Sequence, residues 1–171
     1  MTTTDRISFD RDGRDYRLHA EQDIPRPLDE VFQFFADAHN LQRITPPNLR
    51  FRILTPPPID MREGALIDYR ISLRGFPMRW RTRITSWNPP HEFEDTQLRG
   101  PYSVWIHTHT FRSIDNATRM ADTVRYRPPL GPLGRAANRM LIERDLRAIF
   151  EFRRDTVREI FAPPDRTRPP E

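Results

Sequence analysis

Proline divides this chain into short segments, and this constrains its fold more than any other feature. The 171 residues include 18 prolines, about twice the average usage, and most of them occur in groups. Proline ends helices and is excluded from central strands, so the segments between the groups must be short strands or short helices. The last proline-free stretch, Leu133–Phe161, differs because its apolar residues recur at helical spacing, and it predicts one helix of roughly 40 Å.

The segments predict an α+β protein. Tyr16–Ile24 alternates as a strand, and Leu28–Phe35 and Ala38–Ile44 are two short amphipathic helices. Extended runs with alternating character then predict a meander of six more strands: Leu49–Leu54, Leu66–Leu73, Met78–Trp87, Glu92–Leu98, Tyr102–Ser113 and Arg119–Arg127. We expect an antiparallel sheet of about seven strands, curved around the C-terminal helix, in a single domain over residues 6–162 with flexible tails at 1–5 and 163–171. A cavity between the sheet and the helix is the natural binding site in such a fold.

Composition excludes several classes of function. The chain has no cysteine, and all 28 basic residues are arginine, so disulfides, thiolate chemistry, lysine Schiff bases and the P-loop lysine are all absent. The six glycines form no dinucleotide or phosphate loop, and we expect no organic cofactor. No apolar run is long enough to span a bilayer, so we expect a cytoplasmic protein without stable membrane insertion.

Arginine clustering is too weak to predict a nucleic-acid partner. The densest basic stretch places Arg79, Arg81 and Arg83 in alternation with Trp80, Thr82 and Ile84. This is the pattern of a strand with one face in water, although the pI is about 10.2.

The same alternation assigns polar residues to the inward face of three later strands, where they would meet the cavity. The inward sets are Phe93, Asp95 and Gln97 in the first strand, Trp105, His107, His109 and Phe111 in the second, and Met120, Asp122, Val124 and Tyr126 in the third. Two aspartates and two histidines on an apolar face are unexpected there, and they are the strongest functional signal in the sequence.

Hairpin turns predict how these strands pair. Centring one hairpin near Gly100 places Asp95 opposite His107, and centring the next near Asp115 places His109 opposite Asp122. Opposite side chains are about 4.5–5.5 Å apart at Cβ, so the register predicts two Asp/His pairs side by side on one wall. On the outer face, the same reasoning predicts that Arg83 lies opposite Glu94.

The Asp/His cluster permits three interpretations. It can be a buried polar network that specifies packing, or a functional site in which the aspartates orient and activate the imidazoles. A metal site is the third, but Asp/His pairing already uses these ligands, so we expect no metal. We assign His107, His109, Asp95 and Asp122 as candidate catalytic residues, and seven further residues as candidates for ligand binding: Gln97, Trp105, Trp80, Tyr69, Phe93, Phe111 and Tyr126.

The chain resembles the START-like, or SRPBCC, superfamily of polyketide cyclases, lipid-transfer domains and pollen-allergen-like proteins. The resemblance covers nearly all of residues 16–161, and its most specific part is Phe-x-Asp-x-Gln at residues 93–97, Gly-Pro-Tyr at 100–102 and Trp-x-His-x-His-x-Phe at 105–111. That pattern resembles a bacterial subgroup, some of whose members are fused to sugar-nucleotide epimerase-like domains. The resemblance implies a helix-grip fold with a deep hydrophobic cavity, on which the superfamily builds carriers, sensors and enzymes.

Two functions follow as expectations. The first is binding of a small hydrophobic or aromatic molecule between the sheet and the C-terminal helix. The alternative is a cyclase or dehydratase of polyketide type, without an organic cofactor, in which an Asp/His pair acts as general acid or base. A protein-interaction module is a third possibility, and the sequence leaves the oligomeric state open.

Overall fold

Alternating apolar and polar residues build one antiparallel sheet of eight strands. The computed structural model describes residues 5–162, apart from the side chains of residues 135, 137 and 139. The strands are β1 (Arg6–Asp12), β2 (Asp15–Ile24), β3 (Arg52–Ile53), β4 (Leu66–Leu73), β5 (Phe76–Asn88), β6 (Glu92–Arg99), β7 (Val104–Ile114) and β8 (Ala117–Arg127). Their order in the sheet is β1-β2-β8-β7-β6-β5-β4-β3.

The helices lie between β2 and β3 and after β8. The first group is α1 (Leu28–Ala36), α2 (Asn40–Arg43) and a 3-10 turn at Pro47–Leu49, and the second is α3 (Gly131–Ala137), a π-helical turn at Asn138–Ile142 and α4 (Glu143–Ile160). This is the predicted α+β helix-grip architecture. The predicted single helix over 133–161 is interrupted by the π turn, which adds a residue to one helical turn and shifts the phase of the apolar stripe.

The first strand is an element that the sequence prediction missed. Gly13 and Arg14 form the turn between β1 and β2, and Gly13 adopts a positive φ of 59°, which glycine tolerates without steric cost. β1 pairs with β2 from Arg6–Glu21 to Asp12–Asp15, so the sheet has eight strands where about seven were expected. Of the predicted tails, residues 1–4 and 163–171 lie outside the described residues, and Asp5 forms an ion pair with Arg158 of α4.

The strand register around the predicted cluster agrees with the turn-based prediction. Asp95 is the partner of His107 in the β6–β7 pair, and His109 is the partner of Asp122 in the β7–β8 pair. The predicted Arg83–Glu94 pair is wrong: Arg83 is opposite Thr96, because the β5–β6 turn is centred on Pro90, whereas the predicted pair requires a turn centred between Asn88 and Pro89. A bulge between Ile84 and Ser86 also changes the register by one residue. An extra residue on one strand of a hairpin displaces every pair beyond it.

Three core clusters form among the described residues: a small one of Ala38, Ile67 and Ile84, and two larger ones that leave space beside them. In the first of the larger clusters, phenylalanines of α1 pack on those of β6 and β7: Phe32 and Phe35 lie against Phe93 and Phe111. The second lies between β2, β8 and α4 and is built on Leu18, Val124, Tyr126, Leu146 and Phe150. We call the sheet face that carries these residues the inner face and the opposite one the outer face.

Candidate functional site

The space beside the two larger core clusters is a cavity of about 180 Å³. Its walls are the inner face of β4 to β7, α1 and α4, and most of its lining is aliphatic or aromatic. Lining residues from α2, the 3-10 turn and the following segment are only partly buried, among them Leu41, Leu49 and Phe51, so the cavity reaches the surface there. The polar lining at its inner end comes mainly from Thr82, Asp95, His107, His109 and Arg153.

Strand alternation places the polar residues at this end. His107 and His109 are separated by one residue on β7, so both imidazoles project from the inner face, with 7% and 4% of each residue exposed. Asp95 on β6 and Asp122 on β8 flank them. We call these four residues the His/Asp cluster.

The cluster is one connected unit rather than the two separate pairs that we predicted. His107 Nε2 and His109 Nδ1 both contact Oδ1 of Asp122, at 2.9 and 2.8 Å. The other two ring nitrogens face Oδ2 of Asp95, with His107 Nδ1 at 3.7 Å and His109 Nε2 at 3.4 Å. The imidazole centroids are 3.8 Å apart, so each carboxylate reaches both rings, the directly opposite one and its neighbour.

Arg153 of α4 supplies the positive charge beside the cluster. Its Nη2 lies 3.3 Å from Asp122 Oδ1 and 3.4 Å from His109 Nδ1, and its side chain is 8% exposed. The guanidinium also lies over the rings of Phe35 and Phe150. A buried carboxylate needs such a partner because isolated charge is costly away from water.

Burial and charge act in opposite directions on the pKa values of the cluster. Burial raises the pKa of Asp122, but the charge of Arg153 and hydrogen bonds from both histidines outweigh it and hold that pKa well below its usual range. For Asp95, burial is likewise outweighed by the two imidazoles and Thr82, and the pKa is lowered. Burial and the neighbouring His109 lower the pKa of His107, which favours a neutral imidazole.

Aromatic side chains form the wall next to the cluster. Tyr69 stacks on Trp80 with ring centroids 5.8 Å apart, and Trp105 meets Trp80 edge to face at 5.2 Å. Phe93 stacks on the His109 imidazole at 4.1 Å. The indole Nε1 of Trp80 is buried and has no hydrogen-bond partner within residues 5–162. The wall therefore combines flat apolar surfaces with one unused donor.

The structure brings most of the sequence-predicted site residues to the cavity. Those that line it are Asp95, His107, His109, Tyr69, Trp80, Phe93 and Trp105. The other four lie beside it. Asp122 contacts the imidazoles from behind, Phe111 packs on Phe32 and Phe35, and Tyr126 is buried against Tyr16 and Tyr102. The Gln97 amide bonds to the main chain of Tyr102, where it closes the β6–β7 loop.

Sequence reasoning missed the contribution of the helices. Arg153 lies three residues after Phe150 and four before Val157, so it belongs to the buried stripe of α4. An arginine on an apolar stripe is the signal that identifies it as a site residue. Leu146, Ile149 and Phe150 of the same stripe line the cavity, as do Phe35 and Ile44.

Three residues of the cluster have the composition of a metal ligand set. One ligand atom from each of Asp95, His107 and His109 lies within 4.8 Å of the other two. Among the described residues, no glycine-rich phosphate loop accompanies the cavity, so its donor set fits an ion or a ligand's polar group better than a nucleotide.

Comparison with known proteins identifies a family. Residues 24–152 match the model of the family described as polyketide cyclase / dehydrase and lipid transport. None of the curated protein sequences matches this chain.

Solved structures share the fold at low sequence identity. Protein Ms6760 from Mycobacterium smegmatis superimposes with a TM-score of 0.65 at 18% identity, covering 92% of this chain and 96% of that one. Protein CV1439 from Chromobacterium violaceum gives a TM-score of 0.65 at 15% identity, covering 88% and 98%. The ginseng major latex-like protein 151 from Panax ginseng gives 0.63 at 12% identity, covering 88% and 100%. Within residues 5–162, no helix is long and apolar enough to cross a bilayer.

Proposed function

The chain belongs to the polyketide cyclase/dehydrase and lipid transport family, and from that premise we propose that it binds a small aromatic molecule in the cavity between the sheet and α4. Membership supports binding of a hydrophobic molecule in general. The more specific proposal rests on one observation: a largely apolar cavity that ends in buried, oriented polar groups.

The volume restricts the size of the ligand. An engineered apolar cavity of about 150 Å³ binds benzene, so a cavity of about 180 Å³ accepts a molecule of one or two fused rings without rearrangement. The parallel faces of Tyr69 and Trp80 favour a flat ligand over a branched one.

The polar end determines the orientation of the ligand. Asp122 holds both imidazoles, and these line the cavity beside Asp95 and Arg153. A bound ligand displaces water from these polar groups. A hydroxyl or carbonyl on the ligand can form hydrogen bonds to them in place of the water, whereas an unsubstituted aromatic ring cannot. The ligand class is therefore a one- or two-ring aromatic with a polar group at one end.

Two probes that differ in a single group test this proposal. Binding of 2-naphthol and naphthalene is measured by quenching of tryptophan fluorescence, since Trp80 and Trp105 line the cavity. We expect 2-naphthol to bind about tenfold more tightly, which corresponds to one hydrogen bond to a charged group of about 1.5 kcal/mol. His107→Leu should abolish the difference, and His91→Leu, at an exposed histidine away from the cavity, should retain it.

A cavity-filling substitution checks that binding occurs inside. Leu73→Trp adds an indole at the lining and should prevent binding of both probes, while Leu98→Trp, on an exposed strand position outside the lining, should not. Equal affinities in wild type and Leu73→Trp would place the probes elsewhere and refute the proposal.

One observation favours catalysis as a second candidate function. The lowered pKa of His107 supplies a neutral imidazole at neutral pH, and Asp122 fixes its orientation at the cavity wall. A general base in this position removes a proton from the carbon next to a ligand carbonyl. Exchange of the central C–H of acetylacetone for deuterium, followed by NMR, tests for this activity. If the wild type accelerates the exchange and His107→Gln and His109→Gln do not, the result supports catalysis. If exchange in the presence of the wild type proceeds at the uncatalysed rate, the result refutes catalysis, and ligand binding remains the proposed function.

A further inference from the structure

We propose that Asp95, His107 and His109 form a binding site for a divalent transition-metal ion of the zinc type. This goes beyond the proposed ligand binding and does not depend on it, because it rests on the cluster's own hydrogen bonds and distances. The two ideas are also tested with different probes.

The hydrogen bonds to Asp122 determine which nitrogen lone pairs remain. A neutral imidazole has one N–H and one lone pair. His107 Nε2 donates to Asp122 Oδ1 at 2.9 Å, because a carboxylate oxygen only accepts, so the lone pair of His107 is on Nδ1. His109 Nδ1 lies 2.8 Å from the same oxygen and 3.4 Å from Arg153 Nη2. The His109 tautomer that directs its N–H to Asp122 has its lone pair on Nε2, and this is the tautomer that a metal ion would select.

Those lone pairs point toward a third acceptor. Both nitrogens face Asp95 Oδ2, at 3.7 and 3.4 Å. In this tautomer three acceptors surround one buried point and repel one another unless a cation lies between them. In the other tautomer, His109 Nε2 donates a long hydrogen bond of 3.4 Å to Asp95 Oδ2. The distances exceed the roughly 2.7–2.9 Å of a charge-assisted hydrogen bond, so a proton alone fills this space poorly.

The spacing agrees with the coordination sphere of zinc. Zinc binds imidazole nitrogen and carboxylate oxygen at about 2.0–2.1 Å, and the ligands of such a tetrahedron are about 3.3–3.4 Å apart. The observed separations from Asp95 Oδ2 are close to this value, and one ligand atom from each residue lies within 4.8 Å of the others. Small side-chain rotations bring all three to bonding distance.

The surroundings complete the site. Histidine ligands of zinc usually donate their second nitrogen to a carboxylate that fixes the ring. Asp122 accepts such a bond from His107, and its Oδ1 lies 2.8 Å from His109 Nδ1. Arg153 compensates the charge of Asp122, which leaves Asp95 as the negative charge that the ion would meet. All three ligand residues line the cavity, so a fourth position remains open toward a bound molecule.

Metal titration of the full chain, purified without a polyhistidine tag and treated with a chelator, tests the site. The probes are Zn²⁺, measured by competition with a chromophoric chelator, and Co²⁺, measured by its visible absorption when four-coordinate. We expect one ion per chain. Mg²⁺ should not compete, because imidazole ligands select transition metals.

Variants separate ligands from supporting residues. His107→Gln, His109→Gln and Asp95→Asn should each remove binding, whereas Asp122→Asn, which keeps all three ligands, should weaken it by about 10–100-fold. His39→Gln and His91→Gln, at exposed histidines, are the controls and should bind as wild type does.

The metal site can be refuted even if some of the ligand variants do not fold. A wild-type protein that binds no Zn²⁺, or one whose binding is lost equally in His91→Gln and in His107→Gln, overturns it. Circular dichroism identifies the variants that are unfolded. If the ligand variants are unfolded, the second measurement is made on the wild type, as the protection against thermal unfolding that Zn²⁺ provides. Protection by Zn²⁺ and not by Mg²⁺ is expected, and its absence contradicts the site. A wild-type protein that binds no Zn²⁺ would refute the metal site and leave the naphthol experiment on the wild type unaffected.

Discussion

Two arginine–aspartate pairs lie on opposite faces of the same sheet. On the outer face, Arg81 and Asp68 form a two-bond contact of 2.8 and 2.9 Å, with side chains 50% and 39% exposed. On the inner face, Arg153 and Asp122 meet through one 3.3 Å contact, with both side chains 8% exposed. The outer pair has the better geometry.

Burial makes the weaker contact the more important one. An exposed charge that loses its partner is solvated by water, so an exposed pair contributes little. A buried carboxylate that loses its counter-charge keeps its desolvation cost, which makes removal of a single partner expensive. The distance between the charged atoms would rank the outer pair as the larger contributor to stability. Because exposure decides the cost of losing a partner, we expect the inner pair to contribute more.

The largest expected effect comes from removing Arg153. Arg153→Met keeps the length of the side chain and leaves the Asp122 carboxylate with fewer partners, and we expect a loss of about 3–5 kcal/mol in the free energy of unfolding. Urea denaturation measures it. The double variant Arg153→Met/Asp122→Asn removes both charges and should recover part of the loss. A single variant within about 1 kcal/mol of wild type would contradict the importance given to burial.

Arg153 also shows where sequence reasoning stops. Strand alternation and turn positions predicted the sheet, the inward residues and the Asp95–His107 and His109–Asp122 registers, because a strand has a period of two residues and short turns fix its partner. These are local rules. The contact of Arg153 with the cluster joins residues that are distant in the chain, and no local pattern determines which part of a helix faces which strand.

Two further differences have physical causes of the same kind. The β1–β2 hairpin has a recognisable glycine turn at Gly13–Arg14, but the charged residues of the edge strand β1 obscure its alternation. The β5–β6 turn is centred on Pro90 and β5 has a bulge between Ile84 and Ser86, so Arg83 is opposite Thr96, and the local alternation indicates neither the turn centre nor the extra residue. Within the cluster, the sequence predicted which residues meet, whereas their hydrogen bonds depend on side-chain rotation in three dimensions.

Alkaline pH provides a second test that reports on the inner side of the sheet. Without lysine or cysteine, the side chains that titrate near pH 10 are the four tyrosines. Burial raises the pKa of Tyr69, of Tyr102 and of Tyr126 above the usual 10.0. The unfolded chain therefore loses protons first, so stability is complete below pH 10.0 and falls as the pH rises above it.

Denaturation midpoints between pH 8 and pH 12 measure this decline. Tyr126→Phe should make the decline shallower, because it removes one of the three phenols whose pKa is raised by burial. A midpoint that is constant across this range, or a decline unchanged in Tyr126→Phe, would show that these phenols are not protected by the fold.

A smaller effect is expected from two threonines on the same strand. Thr82 Oγ1, on the inner face, donates to Asp95 at 3.3 Å, and Thr85 Oγ1, on the exposed side, donates to Glu94 Oε1 at 2.8 Å. We expect Thr82→Val to cost about 1.5 kcal/mol, since it removes a bond to a buried charge, and Thr85→Val to cost less than about 0.5 kcal/mol. Urea denaturation of both variants measures the difference, and equal costs would contradict the comparison.

The smallest effect is expected from Arg81→Met, which breaks the pair with the better geometry. Asp68 is then solvated by water, so the denaturation midpoint should change less than in Arg153→Met and in Thr82→Val. The change should be smaller still in 0.5 M salt, because a screening length of about 4–5 Å weakens the interaction between the two exposed charges. The Arg81 contact lowers the pKa of Asp68, so NMR titration of Asp68 should show its pKa rising in Arg81→Met. A pKa that rises without a matching loss of stability would show that the pair forms as described and still contributes little. A loss as large as that of Arg153→Met would mean that the two faces of the sheet do not differ in the way that exposure predicts.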